Sequence, residues 1–489
     1  MIFNSFLFVL VFLPISVIGY YTINKTNHYD FAKLFLLGMS LWFYAYTNIA
    51  FLPVILISIL LNYSIVFLFD HIRQSVLKKT VLIAGICINL GALFLFKYLD
   101  FFSATLNQYL GTSLLLRNLL LPLGISFFTF QQIAFIVDSY RDSSIRYRIL
   151  DYALFVSFFP KITQGPIAFH NELIPQFNDV NRKSVNYENV SKGMLAFSFG
   201  LAKKMLLADN LGSIVDWGYM NIPSLGTINS LIVILSYTLQ IYFDFSGYCD
   251  MASGICLMLN IDLIDNFDSP YKAKSIDEFW KRWHITLTRF FRVYVYFPLG
   301  GNRKGKVRTY LNMFLIFLLS GLWHGAAFTF ILWGILHGIG ICLSKLCKGF
   351  MQKVPSFLRW LGTFLFVNIA WVYFRAEAVT YANMMLQQLI SFQFTPISAD
   401  MVATVLPSEF NLIQKIVLHY SPLAVYYTGS VLLIIFLLFA LIAGTCMKNT
   451  RQRIAAFQPN KRTMFILILL FIWSVLSFSE VGTFLYVNF

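Results

Sequence analysis

Apolar runs close to the roughly 20 residues that a bilayer's hydrocarbon core demands recur along the chain, separated by short polar or basic loops. Candidates are Met1–Tyr21, Leu34–Ala50, Phe51–Phe69, Val81–Phe96, Leu114–Val137, Tyr152–Phe159, Gly193–Leu207, Leu231–Phe245 and Met251–Ile264. Farther on come Phe357–Phe374, Tyr427–Cys446 and Met464–Phe478. Several are too short to cross straight, and Leu121-Pro122-Leu123-Gly124 and Phe159-Pro160 interrupt others. Broken helices are tolerated at membrane depth only where the freed backbone is buried in protein or lines a water-filled cavity. The pattern predicts an all-α integral membrane protein, a bundle of about 11–13 spanning or re-entrant helices around an enclosed chamber. Residues 1–489 form one domain, with no internal repeat.

One apolar run is longer than the rest. Between Thr309 and Ser344 there is no Asp, Glu, Lys or Arg, yet two histidines, His324 and His337. As one straight helix it would measure about 54 Å at 1.5 Å per residue, well beyond a core of roughly 30 Å. It must bend or split, with Gly321, Gly325 and Gly334 as the places that permit it. His324 sits near the middle and therefore at mid-membrane depth. An ionisable side chain there is costly and marks a functional site by default. A neutral imidazole can act as a base without a standing charge. The alternative is a histidine that bonds across helices as structural glue. His337 lies roughly 220° farther around an ideal helix. It would share a face with His324 only across a break, and is expected to be structural.

Composition supports the membrane assignment. Hydrophobic residues make up 58% of the chain and charged residues 12%, with a mean hydropathy of +0.69; a soluble domain carries about twice that charged share. The net charge of +15 does not point to nucleic acid, because Lys and Arg gather in short loops, as cytoplasmic segments of membrane proteins require. These are His71–Lys79, Arg141–Arg148, Lys272–Arg308, Lys345–Lys353 and Lys448–Arg462. Ala376–Ser421 carries only Glu377, Asp400, Glu409 and Lys415, and is placed outside; alternation then leaves the tail 479–489 outside too. The first run lacks a basic start and a cleavage pattern and is expected to remain as a helix. The cysteines form no C-x-x-C pair, so neither a zinc site nor a disulfide framework is expected. His28, His71, His170 and His419 fall in loops or span ends and are expected to be solvated.

Residues 266–308 form a basic, aromatic segment. Ser275 followed by Asp277 and Glu278 predicts a capped helix start. Tryptophans and arginines then interleave through Trp280-Lys281-Arg282-Trp283-His284 to Arg289 and Arg292. Such a helix would lie at the interface, rings in the headgroup zone. It reads either as an amphipathic anchor or as a cytoplasmic site for a phosphate-bearing ligand, with Lys281, Arg282, Trp283, Arg289 and Asn302 as candidate contacts.

Taken together, Trp280-Lys-Arg-Trp-His284, Phe297-Pro-Leu-Gly-Gly-Asn302 and Gly321-Leu-Trp-His-Gly325 resemble the motifs of the membrane-bound O-acyltransferase family, in the bacterial branch that acetylates alginate and peptidoglycan. Phe159-Pro-Lys-Ile-Thr-Gln164, Tyr242-Phe-Asp244 through Asp250, and Trp371-Val-Tyr-Phe-Arg375 add to the resemblance, which runs the length of the chain. It implies a bundle enclosing a tunnel between the two faces of the bacterial inner membrane. It implies His324 as the catalytic histidine and His284 as a second, on the cytoplasmic side. Asp244 and Asp250 match family positions, while Cys249 stands where relatives usually carry Ser.

The resemblance further implies acetyl-CoA as donor; no metal is expected, since no metal-ligand spacing stands out in the sequence. An envelope polysaccharide would be the acceptor, and an exported SGNH-hydrolase-type protein the partner; membrane lipids surround the bundle. The ending Phe484-Leu-Tyr486-Val-Asn-Phe489 matches a Phe-x-Tyr-x-x-Phe ending of relatives in which the tyrosine is held to accept the acyl group. A phenol is more acidic than an alcohol, so its ester is the better acyl donor; the other reading of Tyr486 is a tyrosine of the aromatic belt. The expected function is membrane O-acetyl transfer from a cytoplasmic thioester to an exported polysaccharide. D-alanyl or lipid O-acyl transfer, a polysaccharide or lipid transporter, and a membrane scaffold remain the alternatives.

Overall fold

The computed structural model describes residues 1–405, 422–480 and 484–485. Among these, every regular element is a helix. Among the described residues, six helices are long and apolar enough to cross a membrane: Phe51–His71, Ser75–Leu110, Thr227–Met258, Phe328–Leu346, Ser356–Arg375 and Tyr426–Thr445. Their outer faces carry exposed Leu60, Phe67, Ile83, Ile88, Leu365, Leu438 and Phe439. An apolar face this extensive is stable in lipid and not in water.

Thr227–Met258 is the axis of the bundle, 83% buried over its most apolar stretch. The hydrophobic pattern divides it into two spans, Leu231–Phe245 and Met251–Ile264; the structure has one helix of 32 residues. Asp244 falls near the end of the first run and Asp250 between the two, and neither breaks the helix, because each meets an ammonium. Lys204 reaches Asp244 at 2.8 Å and Lys203 reaches Asp250 at 2.6 Å. Leu114–Val137 departs in the other direction. Residues 111–122 are irregular, and the helix Ile125–Arg141 starts only after Gly124, whose φ of 70° suits glycine.

The charge-free run splits as its length requires. Helix Gly305–His324 ends on His324, Gly325 is extended, and Phe328–Leu346 returns alongside. The crossing is too tight for side chains: a Cβ on Gly321 would lie 2.4 Å from the Phe330 carbonyl oxygen, and one on Gly334 2.6 Å from that of Phe317. Small residues permit such contact between membrane helices. The break brings His337 back toward His324, with the Trp333 ring between them at 5.2 Å from His324 and 4.8 Å from His337.

Two large apolar cores fill the bundle. One gathers the first helices with Phe478 and Phe484; the other gathers Trp280, Trp283, Trp333 and Trp371. Trp280 and Trp283 are thus buried in protein, not laid in the headgroup zone, because the 266–308 segment folds inward as two short helices, Ile276–Arg282 and Ile285–Phe291. His170 is likewise buried, not solvated: it sits between Tyr147 Oη at 3.0 Å and Asp138 at 3.2 Å. Tyr486, Glu409, Lys415 and His419 lie outside the described residues. Of the tail, Phe484 is buried in the first core and Leu485 packs against the second.

Candidate active site

The end of Gly305–His324 presents the last backbone carbonyls of a helix to an apolar interior, where an unmet acceptor is costly. Residues from far earlier in the chain meet them. Lys97 Nζ donates to the carbonyls of Trp323 and His324 at 2.7 and 2.9 Å, and Tyr98 Oη donates to that of Leu322 at 2.7 Å. A cation at the negative end of a helix is also favoured by the dipole. This cap fixes where the helix stops and hence where His324 projects. The His324 ring packs among Trp323, Trp333 and Phe374 at 4.9, 5.2 and 5.1 Å between ring centres.

His284 faces it from the turn between the two short helices, 6.4 Å away ring to ring. Its φ of 43° lies in the left-handed region, costly for a residue with a side chain and a recurrent mark of functional sites. Asn266 holds this conformation. The Asn266 carbonyl accepts the Ile285 N–H at 3.0 Å. Its side-chain Oδ1 accepts from the Thr286 N–H, the Thr286 hydroxyl and His284 Nδ1, at 3.2, 2.9 and 3.1 Å. The Thr286 N–H can only donate, so that atom of Asn266 is the oxygen, and His284 Nδ1 carries the proton. The lone pair of His284 therefore sits on Nε2, which is buried and makes no hydrogen bond among the described residues. Phe245 and Trp323 flank the ring at 4.9 and 6.2 Å.

Asn266 also opens onto a cleft. Its Nδ2 donates to Cys249 Sγ at 3.5 Å. Both residues line a small cleft with a cavity volume of about 30 Å³, open in part to the exterior and walled by Lys203, Asp250, Asp265 and Arg451. Lys203 and Thr450 both reach Asp250, and Arg451 pairs with Asp265 at 3.0 Å. Burial in this wall pushes the Asp265 carboxyl up from its ordinary range, against the pull of Arg451. One residue, Asn266, thus separates the cleft from the buried imidazole pair.

The structure brings His284 and His324 together. The five candidate phosphate contacts are dispersed. Lys281 is exposed and pairs with Asp277, Arg282 is held by Glu278 and Asp268, and Trp283 is buried beside Trp371. Arg289 pairs with Glu172 over the Phe169 ring, and Asn302 is exposed. None of the five lines the cleft. Among the described residues, no three His, Cys, Asp or Glu side chains gather as metal ligands. Lys97, which sequence reasoning passed over, carried a signal: a lone cation inside an apolar run is itself a candidate functional residue.

The model of the MBOAT, membrane-bound O-acyltransferase family matches residues 38–383. The chain belongs to this family. It is 38% identical to the peptidoglycan O-acetyltransferase of Helicobacter pylori, over all of this chain and 98% of that one. It is 37% identical to the Probable alginate O-acetylase AlgI of Pseudomonas aeruginosa, over 80% of this chain and 75% of the relative. The teichoic acid D-alanyltransferase of Bacillus subtilis is more distant, 28% identical over 50% of this chain and 63% of its own length. The chain is therefore a multi-pass membrane O-acyltransferase, and the histidine pair lies within the matched region. The all-α, multi-span membrane architecture expected from the sequence is the architecture found.

Proposed function

We propose that this protein moves an acetyl group from acetyl-CoA on the cytoplasmic side of the inner membrane to an acceptor outside it, for O-acetylation of an envelope polysaccharide. The observation that carries this is the buried His284–His324 pair, facing at 6.4 Å inside an O-acyltransferase. Strong likeness to a peptidoglycan O-acetyltransferase over the whole chain supports acetyl over D-alanyl transfer, for which the relative covers only half.

The thioester end of the donor enters through the cleft beneath Asn266, and a tunnel carries the chemistry to the far side. The nucleotide rests on the basic surface of residues 266–308, where Lys281 and Asn302 are exposed. His324 acts as general base and takes the proton of the attacking hydroxyl. His284 offers the Nε2 lone pair to the group that lies between the rings. The first acceptor is the Tyr486 phenol. Its O–H proton passes to His324, the oxygen attacks the thioester carbonyl, and the C–S bond breaks. The proton leaves with the CoA thiol, and an acetyl-tyrosyl ester remains. An exported SGNH-hydrolase-type partner then takes the acetyl group to a sugar hydroxyl.

The test is reconstitution with radiolabelled acetyl-CoA. Hydroxylamine-labile label should appear on the chain and be lost in His324→Ala and in Tyr486→Phe. Label retained in Tyr486→Phe removes the carrier and leaves direct transfer; label retained in His324→Ala removes the base.

A further inference from the structure

A buried ion cluster sits where the two large cores meet, and the mechanism above does not use it. Lys204 is almost fully enclosed and reaches both Asp244 and Asp209 at 2.8 Å. Two carboxylates around one buried ammonium carry an excess negative charge in a medium that penalises it. Such a cluster is stabilised by a further donor, and the structure supplies one from far along the chain. The backbone N–H of Leu485 donates to Asp244 Oδ2 at 3.0 Å. Lys204 Nζ also lies 4.5 Å from the centre of the Phe484 ring, and Tyr248 meets that ring edge-on at 5.3 Å. Phe484 is 1% exposed, so this is a socket and not a surface contact.

The socket is joined to the histidines. Asp244 and Phe245 are neighbours on the central helix, and the Phe245 ring packs 4.9 Å from that of His284. Tyr486 follows Leu485 directly in the sequence, so the residue held at Asp244 is the one just before it. A hydrogen bond from a main-chain N–H fixes register as well as place: one residue of slippage would present a different N–H to Asp244 and a different side chain to the site.

We propose that Asp244 and Lys204 form a seat for the tail, clamping the Leu485 N–H and the Phe484 ring so that the next side chain, Tyr486, is delivered in register to the His284–His324 pair. This rests on the carrier role assigned to Tyr486. Asp244 is here a positioning residue. The bonds made and broken in acyl transfer are those already described; the seat supplies orientation, which converts an encounter into an intramolecular reaction.

The experiment uses the full chain with Cys87, Cys342, Cys347 and Cys446 replaced by Ser. Leu485→Cys in that background then reports tail docking through the rate at which its thiol reacts with a bulky maleimide, which involves no acyl chemistry. A second measurement is hydroxylamine-labile label from acetyl-CoA on chains that keep Leu485. Asp244→Ala leaves Lys204 paired with Asp209, and Leu485→Pro deletes the backbone donor while keeping an apolar side chain against the second core. The introduced thiol should be protected while Asp244 is present and at least about tenfold more reactive with Asp244→Ala, and label should be at least about tenfold lower in Asp244→Ala and in Leu485→Pro. Acetyl-CoA affinity should stay within about twofold in both, showing an intact fold. Asp244→Asn, which keeps an acceptor oxygen, should recover part of the protection and part of the label. Equal thiol reactivity with and without Asp244, or full label on Leu485→Pro, overturns the seat. A parent chain that takes no label, while the introduced thiol still responds to Asp244→Ala, overturns the carrier assignment, and the delivery role with it.

Discussion

The hairpin that carries His324 and the segment 266–308 that carries His284 meet at one point and are built by opposite means. The hairpin has no charged side chain between Thr309 and Ser344, and it is fixed by backbone-to-backbone approach and by a cap borrowed from Lys97 and Tyr98. The 266–308 segment is dense in charge, yet within Ile276–Arg282 and just after it those charges serve ion pairs inside the protein: Lys281 with Asp277 and Arg282 with Glu278 one helical turn apart, and Arg289 with Glu172 far earlier in the chain. What projects His284 into the interior is instead an uncharged side chain, Asn266. Charge density along a sequence therefore marks where this chain is tied to itself. The candidate chemistry sits where uncharged polar groups are buried and held.

That contrast can be broken at four points of decreasing effect. Gly321→Val drives a side chain into the Phe330 carbonyl, which no rotamer relieves. It should destabilise the fold by more than about 3 kcal/mol, seen as loss of monodisperse protein and a collapse of the melting temperature. Asn266→Ala leaves His284 Nδ1 and the Thr286 N–H without their acceptor. Turnover should fall about tenfold to a hundredfold, with thermal stability lower by about 1–3 kcal/mol, in kinetic and melting assays. Lys97→Met leaves the Trp323 and His324 carbonyls short of a donor while Tyr98 still holds Leu322. Turnover should drop about tenfold with acetyl-CoA affinity unchanged, a split between kcat and binding that a merely weakened bundle would not produce. Lys281→Ala removes one exposed i,i+4 pair with Asp277. Stability should move by less than about 0.5 kcal/mol by denaturation. A large loss there would return structural weight to the charged segment and erase the contrast.

The split of the charge-free run was legible because a single helix would have overshot the hydrocarbon, and its glycines lie at the break and crossing. The single central helix was not legible. Asp244 and Asp250 look like the end of a span until Lys203 and Lys204, some 40 to 47 residues earlier, are seen to neutralise them. His170 was misplaced for a related reason: its partners Tyr147 and Asp138 come from other elements, so nothing local marks it as buried. His324 stood out by its own surroundings. His284 stood out through its motif, but its lone pair on Nε2 depends on Asn266, which no periodicity singles out. The cleft was invisible for the same reason, being assembled from Lys203, Asp250, Asn266 and Arg451 on separate stretches of chain.

The most direct measurement is CoA release in a single turnover by purified protein, comparing the parent with His324→Ala at saturating acetyl-CoA, alongside peptide mapping of the acetyl group. The account predicts one equivalent of CoA from the parent, with acetyl recovered on Tyr486. For His324→Ala it predicts release slowed by at least about a thousandfold, with donor affinity retained. A His324→Ala protein that releases CoA at the parental rate would contradict it.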